Sequence, residues 1–210
     1  MLVITCTWDL KASGQNEFAK TALKFAGEIH EIKKDNQRIY AGLSKLMAKE
    51  KMDDFMTINE IIHVIVTGNE RYAVMLGKNI TFTNNIWGIH PSYNTFMLLS
   101  LINNLVANAV EAIEANGEIH IDAKMDLNML AVQVKDNGSG ISPRNRTLIF
   151  TPGFTTKFDN IGQASTGIGL SYVKDTIEEF GGSITLDEPE AIYKTVFTIC
   201  LPIESLLERG

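Results

Sequence analysis

The chain has 210 residues, 45% of them apolar, enough for one large or two modest domains with a real core and unlike a disordered tail. Lys+Arg number 19 against Asp+Glu 25, and the resulting net charge of −6 lacks the basic footprint of a nucleic-acid binder. Two cysteines, Cys6 and Cys200, stand at opposite ends without metal-ligand spacing, so neither a disulfide framework nor a zinc site is expected and a reducing, cytoplasmic setting is the default.

The opening MLVITCT is too short and lacks the basic flank and cleavage site of a signal peptide. No uninterrupted apolar run reaches the ~18 to 20 residues that cross a bilayer. Residues 1–13 read as an N-terminal extension, ahead of domains expected at 14–77 and 78–210.

From Phe18, the positions Ala22, Phe25, Ile29, Ile32, Asn36, Ile39, Leu43 and Leu46 alternate spacings of four and three, the signature of a coiled-coil seam. After the connector AKEKMDD a second seam runs through Ile58, Ile62, Ile65, Asn69, Tyr72 and Leu76, ending near Gly77. Two such helices make an antiparallel hairpin whose leftover apolar surface a second copy would cover, giving a dimeric four-helix bundle. Asn36 and Asn69 fall on seam positions, where an amide either fixes register or points to solvent at a fraying turn.

Beyond Gly77 the pattern turns to mixed helix and strand. NITFTNN reads as a strand, and Pro91 suits the first turn of a helix running to about Ala115. GEIHIDAKM and LNMLAVQVK alternate as hairpin strands, with the turn around Asp126. A loop-rich stretch from Asp136 to Thr166 precedes a helix from Gly167 to Phe180, and SITLDE and KTVFTICLP close the chain as strands. The expectation is an α+β protein whose second half is an α/β sandwich with helices on one face of a mixed sheet.

Four motifs in this half suit a nucleotide. In NNLVANAVEA, Asn104 and Asn108 are four apart and share a helical face; amide oxygens are hard ligands for Mg2+, although local hydrogen bonds would also explain them. In DNGSGI, directly after a strand, Gly138 and Gly140 permit a tight turn and close approach, and Asp136 can accept from an exocyclic amine. In IFTPGFTTK, Phe150 and Phe154 bracket a Pro-Gly turn as a lid or as core anchors, and Lys157 can reach a phosphate. In STGIGLSYV, Gly167 and Gly169 introduce a helix whose free N–H groups suit a phosphate chain, with Thr166 and Leu170 beside them.

In this order the motifs resemble the N, G1, F and G2 boxes of the GHKL (Bergerat) ATP-binding superfamily, specifically of sensor histidine kinases, over about Asn79 to Pro202. The upstream hairpin resembles the dimerisation and histidine phosphotransfer domain of the same kinases, with HEIKKDN as the H box. The resemblance implies ATP and Mg2+ as cofactors, Asn108 on the metal, Asp136 on adenine, and Gly167 and Gly169 on the phosphates. Asn104 stands where the gyrase and heat-shock branches carry a glutamate base, and an amide cannot serve as that base. Transfer to a protein nucleophile is therefore favoured over ATP hydrolysis.

The phospho-acceptor implied is His30, one residue past the Ile29 seam position, with Glu31 next in the chain to manage its proton. His63 sits similarly beside its own seam but between isoleucine and valine; His90 and His120 read as packing residues. Lys33, Lys34 and Arg38 make the helix near His30 basic, either an attraction for an acidic partner or a solvated face. The partners implied are a second copy of the chain and a response-regulator receiver domain whose aspartate takes the phosphoryl group; a membrane enters only through a sensor region outside this chain. Lys34, four after His30, stands where several subfamilies carry a polar residue linked to phosphatase activity, and Ser165 where the G2 box usually opens with glycine. The competing readings are a phosphorelay scaffold with a decayed ATP site, and a GHKL ATPase or serine kinase.

Overall fold

A computed structural model of the chain describes residues 55–88, 91–156 and 167–207. Apart from Thr156 these belong to one compact unit, Asp53–Thr155 with Gly167–Gly210. The first seam, His30, Glu31 and the expected bundle lie outside the described residues.

The elements in chain order are β1 (Phe55–Thr57), α1 (Ile58–Met75), β2 (Asn79–Trp87), β3 (Ser92–Asn94), α2 (Thr95–Ala112), β4 (Asn116–Asp126), β5 (Met129–Asp136), α3 (Gly169–Glu179), β6 (Ser183–Leu186) and β7 (Thr195–Pro202), then a 3-10 turn, Ile203–Ser205. Five strands form a mixed sheet in the order β2-β4-β5-β7-β6, in which β2 and β4 run parallel and every other pair antiparallel. Along β4, β5 and β7 alternate residues fall on one buried face: Ile119, Ile121 and Ala123; Leu130, Val132 and Val134; Phe197, Ile199 and Leu201. That face packs against α2 and α3, as the alternation in the sequence requires. α2 is long and apolar enough by length and composition to cross a bilayer, but Leu98, Leu99, Leu101, Ile102, Leu105, Val106 and Val110 are all buried in this core.

The apolar stripe of α1, Ile58, Ile61, Ile62, Ile65, Asn69 and Ala73, is buried, and the helix packs against α2 and β2 in the compact unit that begins at Asp53. Its expected hairpin partner, the first seam, lies outside the described residues. A three-four apolar spacing looks the same whatever covers it, so periodicity marks the helix without naming α2 and β2 as neighbours. The start of α1 is fixed locally by a capping box: Thr57 Oγ1 accepts from Glu60 N–H (3.4 Å) while Thr57 N–H donates to Glu60 Oε2 (2.8 Å).

Two helix starts also shift. α2 begins at Thr95 and not near Pro91, because Ser92–Asn94 pair as a strand with Phe55–Thr57 and Asn94 Oδ1 then caps Met97 N–H (3.1 Å). α3 begins at Gly169 because Gly167, with φ +62°, is left-handed and cannot be helical.

The outer face of the sheet is polar and interlocked. Lys135, buried, bridges Asp122 (3.1 Å) and Glu190 (3.0 Å). Tyr193 donates to Glu118 Oε1 (2.6 Å) and stacks on His120 (centroids 6.0 Å apart), whose Nδ1 pairs with Thr83 Oγ1 (2.6 Å). These ties hold the β6–β7 connection across the sheet beside the end of β5, where Lys194 N–H donates to Asp136 O (2.8 Å).

Burial, reinforced by Glu118, pushes the Tyr193 phenol up to about 12, and burial with Glu111 does the same for Tyr72, which donates to Glu111 Oε1 at 3.0 Å. A raised folded-state pKa stabilises in full below the unfolded value of 10.0 and is lost as pH climbs to about 12. The melting temperature is therefore expected to fall over that interval, and calorimetry on a Tyr72→Phe, Tyr193→Phe double variant should show a shallower fall.

Candidate functional site

The site is organised along one line of α2. Residues 100, 104, 108 and 112 are spaced one helical turn apart and stack on a single face over about 18 Å. At the near end Ser100 Oγ and Tyr172 OH of α3 are 3.3 Å apart, and Asn104 Nδ2 donates to Ser100 O (2.7 Å). Holding the amide nitrogen leaves Oδ1 turned toward the start of α3, where a Cβ on Gly169 would sit 3.3 Å from it. At the far end Ala112 O accepts from Ser139 N–H (3.0 Å). Partly buried Asn108 lies between the two.

The loop after β5 closes against that far end. Asp136 is 3% exposed, and its Oδ1 accepts from Gly138 N–H (2.9 Å) and Thr195 Oγ1 (3.3 Å). A Cβ on Gly138 would lie 2.6 Å from Ala112 O, so only glycine lets the loop seat this closely. Asn137 doubles as an extra rung, its N–H donating to Glu118 O (3.3 Å) and its Oδ1 accepting from Glu118 N–H (2.8 Å). A buried carboxylate at the mouth of a glycine turn is costly unless polar groups meet it, and Gly138 N–H and Thr195 Oγ1 do so here.

The loop from Ile141 to Thr155 is anchored in its first half. Arg146 Nη2 donates to Leu186 O (3.2 Å), Asp187 O (2.9 Å) and Glu188 Oε1 (2.9 Å). Ile149 is buried and Phe150 meets Phe197 edge-on, with centroids 6.2 Å apart. Phe150 is thus a core anchor. Phe154 is partly buried, and Gly153 N–H donates to Gly167 O (3.2 Å), joining the end of the loop to the glycine turn that leads into α3. A Cβ on Gly167 would lie 2.5 Å from Phe154 O, which makes this contact another glycine-only approach.

Of the residues singled out from the sequence, Asn104, Asn108, Asp136, Gly138 and Gly169 are brought together along the α2 stripe and its two ends, Gly167 and Leu170 flank Gly169 at the start of α3, and Gly140 lies in the same loop as Asp136 at φ +75°. Lys157 and Thr166 lie outside the described residues. Sequence reasoning missed Thr195, Asn137, Ser100, Tyr172 and Arg146. Each acts through a partner 19 to 72 positions away, so no local spacing announces it. Among the described residues no group of three His, Cys, Asp or Glu is placed to hold a metal ion. An amide donor beside glycine-framed space fits Mg2+ that brings phosphate oxygens as its other ligands, not a dedicated protein cage.

The comparisons agree with this geometry. Residues 94–205 match the family model described as histidine kinase-, DNA gyrase B-, and HSP90-like ATPase. The chain is 48% identical over 189 residues to sensor histidine kinase GlnK of Bacillus subtilis (strain 168), covering 90% of this chain and 46% of that protein. It is 40% identical over 186 residues to sensor histidine kinase ZraS of Salmonella typhimurium, covering 84% and 39%. The chain therefore spans less than half the length of these relatives. The solved catalytic domain of histidine kinase ThkA superposes with a TM-score of 0.58 at 28% identity, covering 73% of this chain and 99% of that one. With the α+β Bergerat fold, the ordered motifs and the family match in agreement, the chain belongs to the histidine kinase-, DNA gyrase B- and HSP90-like ATPase family, and its described unit is a catalytic domain of the histidine-kinase type.

Proposed function

We propose that the chain is the catalytic portion of a two-component sensor histidine kinase, which transfers the γ-phosphoryl group of ATP to His30 and passes it to an aspartate of a response-regulator receiver domain. The observation that carries this reading is the meeting, on one stripe of α2, of the Asp136 loop at one end and the glycine-led helix α3 at the other, in a chain 48% identical to a sensor histidine kinase.

In this reading Asp136, oriented by Gly138 and Thr195, accepts from the adenine amine, and the Gly167–Gly169 turn receives the phosphates at the positive end of α3. Asn108 would hold Mg2+, which when bound would neutralise phosphate charge. Asn104 orients the reacting groups without taking a proton. An imidazole nitrogen of His30 attacks the γ-phosphorus, the bond to the ADP oxygen breaks, and the ring proton passes to Glu31 or to water. Positioning and charge neutralisation supply most of the acceleration in such transfers. Residues 14–77 would supply the dimerising, phospho-accepting helical hairpin of a homodimer, and any membrane attachment would come from a sensor region outside this chain.

Incubation with γ-labelled ATP and Mg2+ is expected to give an acid-labile phosphohistidine that His30→Gln abolishes; acid-stable label on a hydroxyl, or undiminished label on the variant, overturns the reading. Asp136→Asn keeps the Oδ1 acceptor for Gly138 and Thr195 but replaces the other oxygen with a donor. Calorimetric titration should show ATP affinity reduced about ten- to a hundredfold, the scale of one charge-assisted hydrogen bond.

A further inference from the structure

Asn69 is 3% exposed on a face of α1 otherwise built from Ile58, Ile61, Ile62, Ile65 and Ala73. A buried amide in such a face costs stability relative to an apolar side chain of similar volume, so something other than burial keeps it there. Its Nδ2 donates to Ile65 O in its own helix (2.8 Å) and, across the helix interface, to Asn103 Oδ1 (2.9 Å). Asn103 is the immediate neighbour of Asn104. Ridges of isoleucine and leucine between two helices tolerate small slides and rolls, whereas a hydrogen bond between two amides has one register.

The tie matters because α2 carries the site on side chains and not on a loop that can adapt. A roll of about 20° moves a group at the roughly 5 Å side-chain radius by roughly 2 Å. Displacements of about 1 Å are enough to cost a positioned reaction heavily. Tyr172 meets Ser100 from α3 one turn before Asn104 (3.3 Å), so α2 carries two polar ties to different neighbours within the turn that leads into Asn104. The Asn69–Asn103 bond is the shorter of the two, 2.9 Å against 3.3 Å.

We propose that Asn69 is a positioning residue for the nucleotide site: through Asn103 it fixes the roll of α2, and with it the aim of Asn104 and Asn108 at the phosphates and their Mg2+. This rests on the reading of those two amides given above. It separates two quantities that a structural role would move together. Leucine at position 69 removes a buried polar group from an apolar interface and should hold or raise the melting temperature, while loosening the aim of the site.

The test compares wild type, Asn69→Leu, Asn103→Leu and the double variant by melting temperature, by calorimetric titration of ATP with Mg2+ and with EDTA, and by initial rate of His30 labelling. Affinity in EDTA, set by the Asp136 loop, should stay within about twofold. The extra affinity conferred by Mg2+ should drop about three- to tenfold, the worth of one net hydrogen bond, and the labelling rate about tenfold or more. Asn69→Leu with a melting temperature at or above wild type and an unchanged Mg2+ increment overturns the proposal. Should Asn69→Leu fail to fold, Asn103→Ala, which leaves the bond to Ile65 O intact, is judged by the same two outcomes. Wild type that binds Mg2+ and ATP but never labels His30 would sink the kinase reading, while the titrations would still decide the role of Asn69.

Discussion

The structure depends on one constraint: α2 must be core and active surface at once. Leu98, Leu99, Leu101, Ile102, Leu105, Val106 and Val110 bury its apolar sides, and the line Ser100, Asn104, Asn108, Ala112 carries the candidate site. Each polar group on that line for which a bond is described is tied: Ser100 to Tyr172, Asn104 to the preceding turn, the Ala112 carbonyl to the loop after β5. Lys78 completes the arrangement, its ammonium donating to the last-turn carbonyls of Val110 (2.9 Å) and Glu111 (3.1 Å), where a cation also suits the helix dipole.

The sheet serves the same end from its outer side. Lys135 would be costly to bury alone; burial by itself would lower its pKa, but hydrogen bonds to Glu190 and Asp122 carry it above its ordinary value. Burial would likewise raise Asp122, and Lys135 and His120 together hold its carboxyl below the usual range. The ion network is therefore satisfied on both sides, and its structural product is a fixed connection between β6 and β7. From that connection Lys194 and Thr195 reach Asp136, and Leu186, Asp187 and Glu188 receive Arg146. A polar face on the outer side of the sheet thus sets two edges of the candidate site.

Strands and glycine motifs were legible because their signals are local. Alternation marked Asn116–Asp126 and Met129–Asp136, and the sandwich with helices on one face of a mixed sheet followed from the element order. What the sequence concealed was pairing. Ser92–Asn94 became a strand only because Phe55–Thr57 lies beside it, some forty residues earlier in the chain. Ile58–Met75 carries an apolar spacing that says nothing of what covers it, and its packing against α2 and β2 came only with the structure. Thr195 and Tyr172 reach the site through partners far away in sequence, so composition and spacing carry no trace of their roles.

The short ladder of β1 and β3 has a mechanical meaning. Phe55–Thr57 runs directly into α1, and Ser92–Asn94 runs directly into α2, whose first turn Asn94 caps. Asn94 N–H is in turn held by Leu206 O (2.8 Å), which clamps this corner to the end of the chain beyond β7. A pull or twist on the polypeptide ahead of Phe55 consequently loads that three-rung ladder first, and the ladder hands the strain straight to the helix bearing Asn104, with no slack loop between them to absorb it.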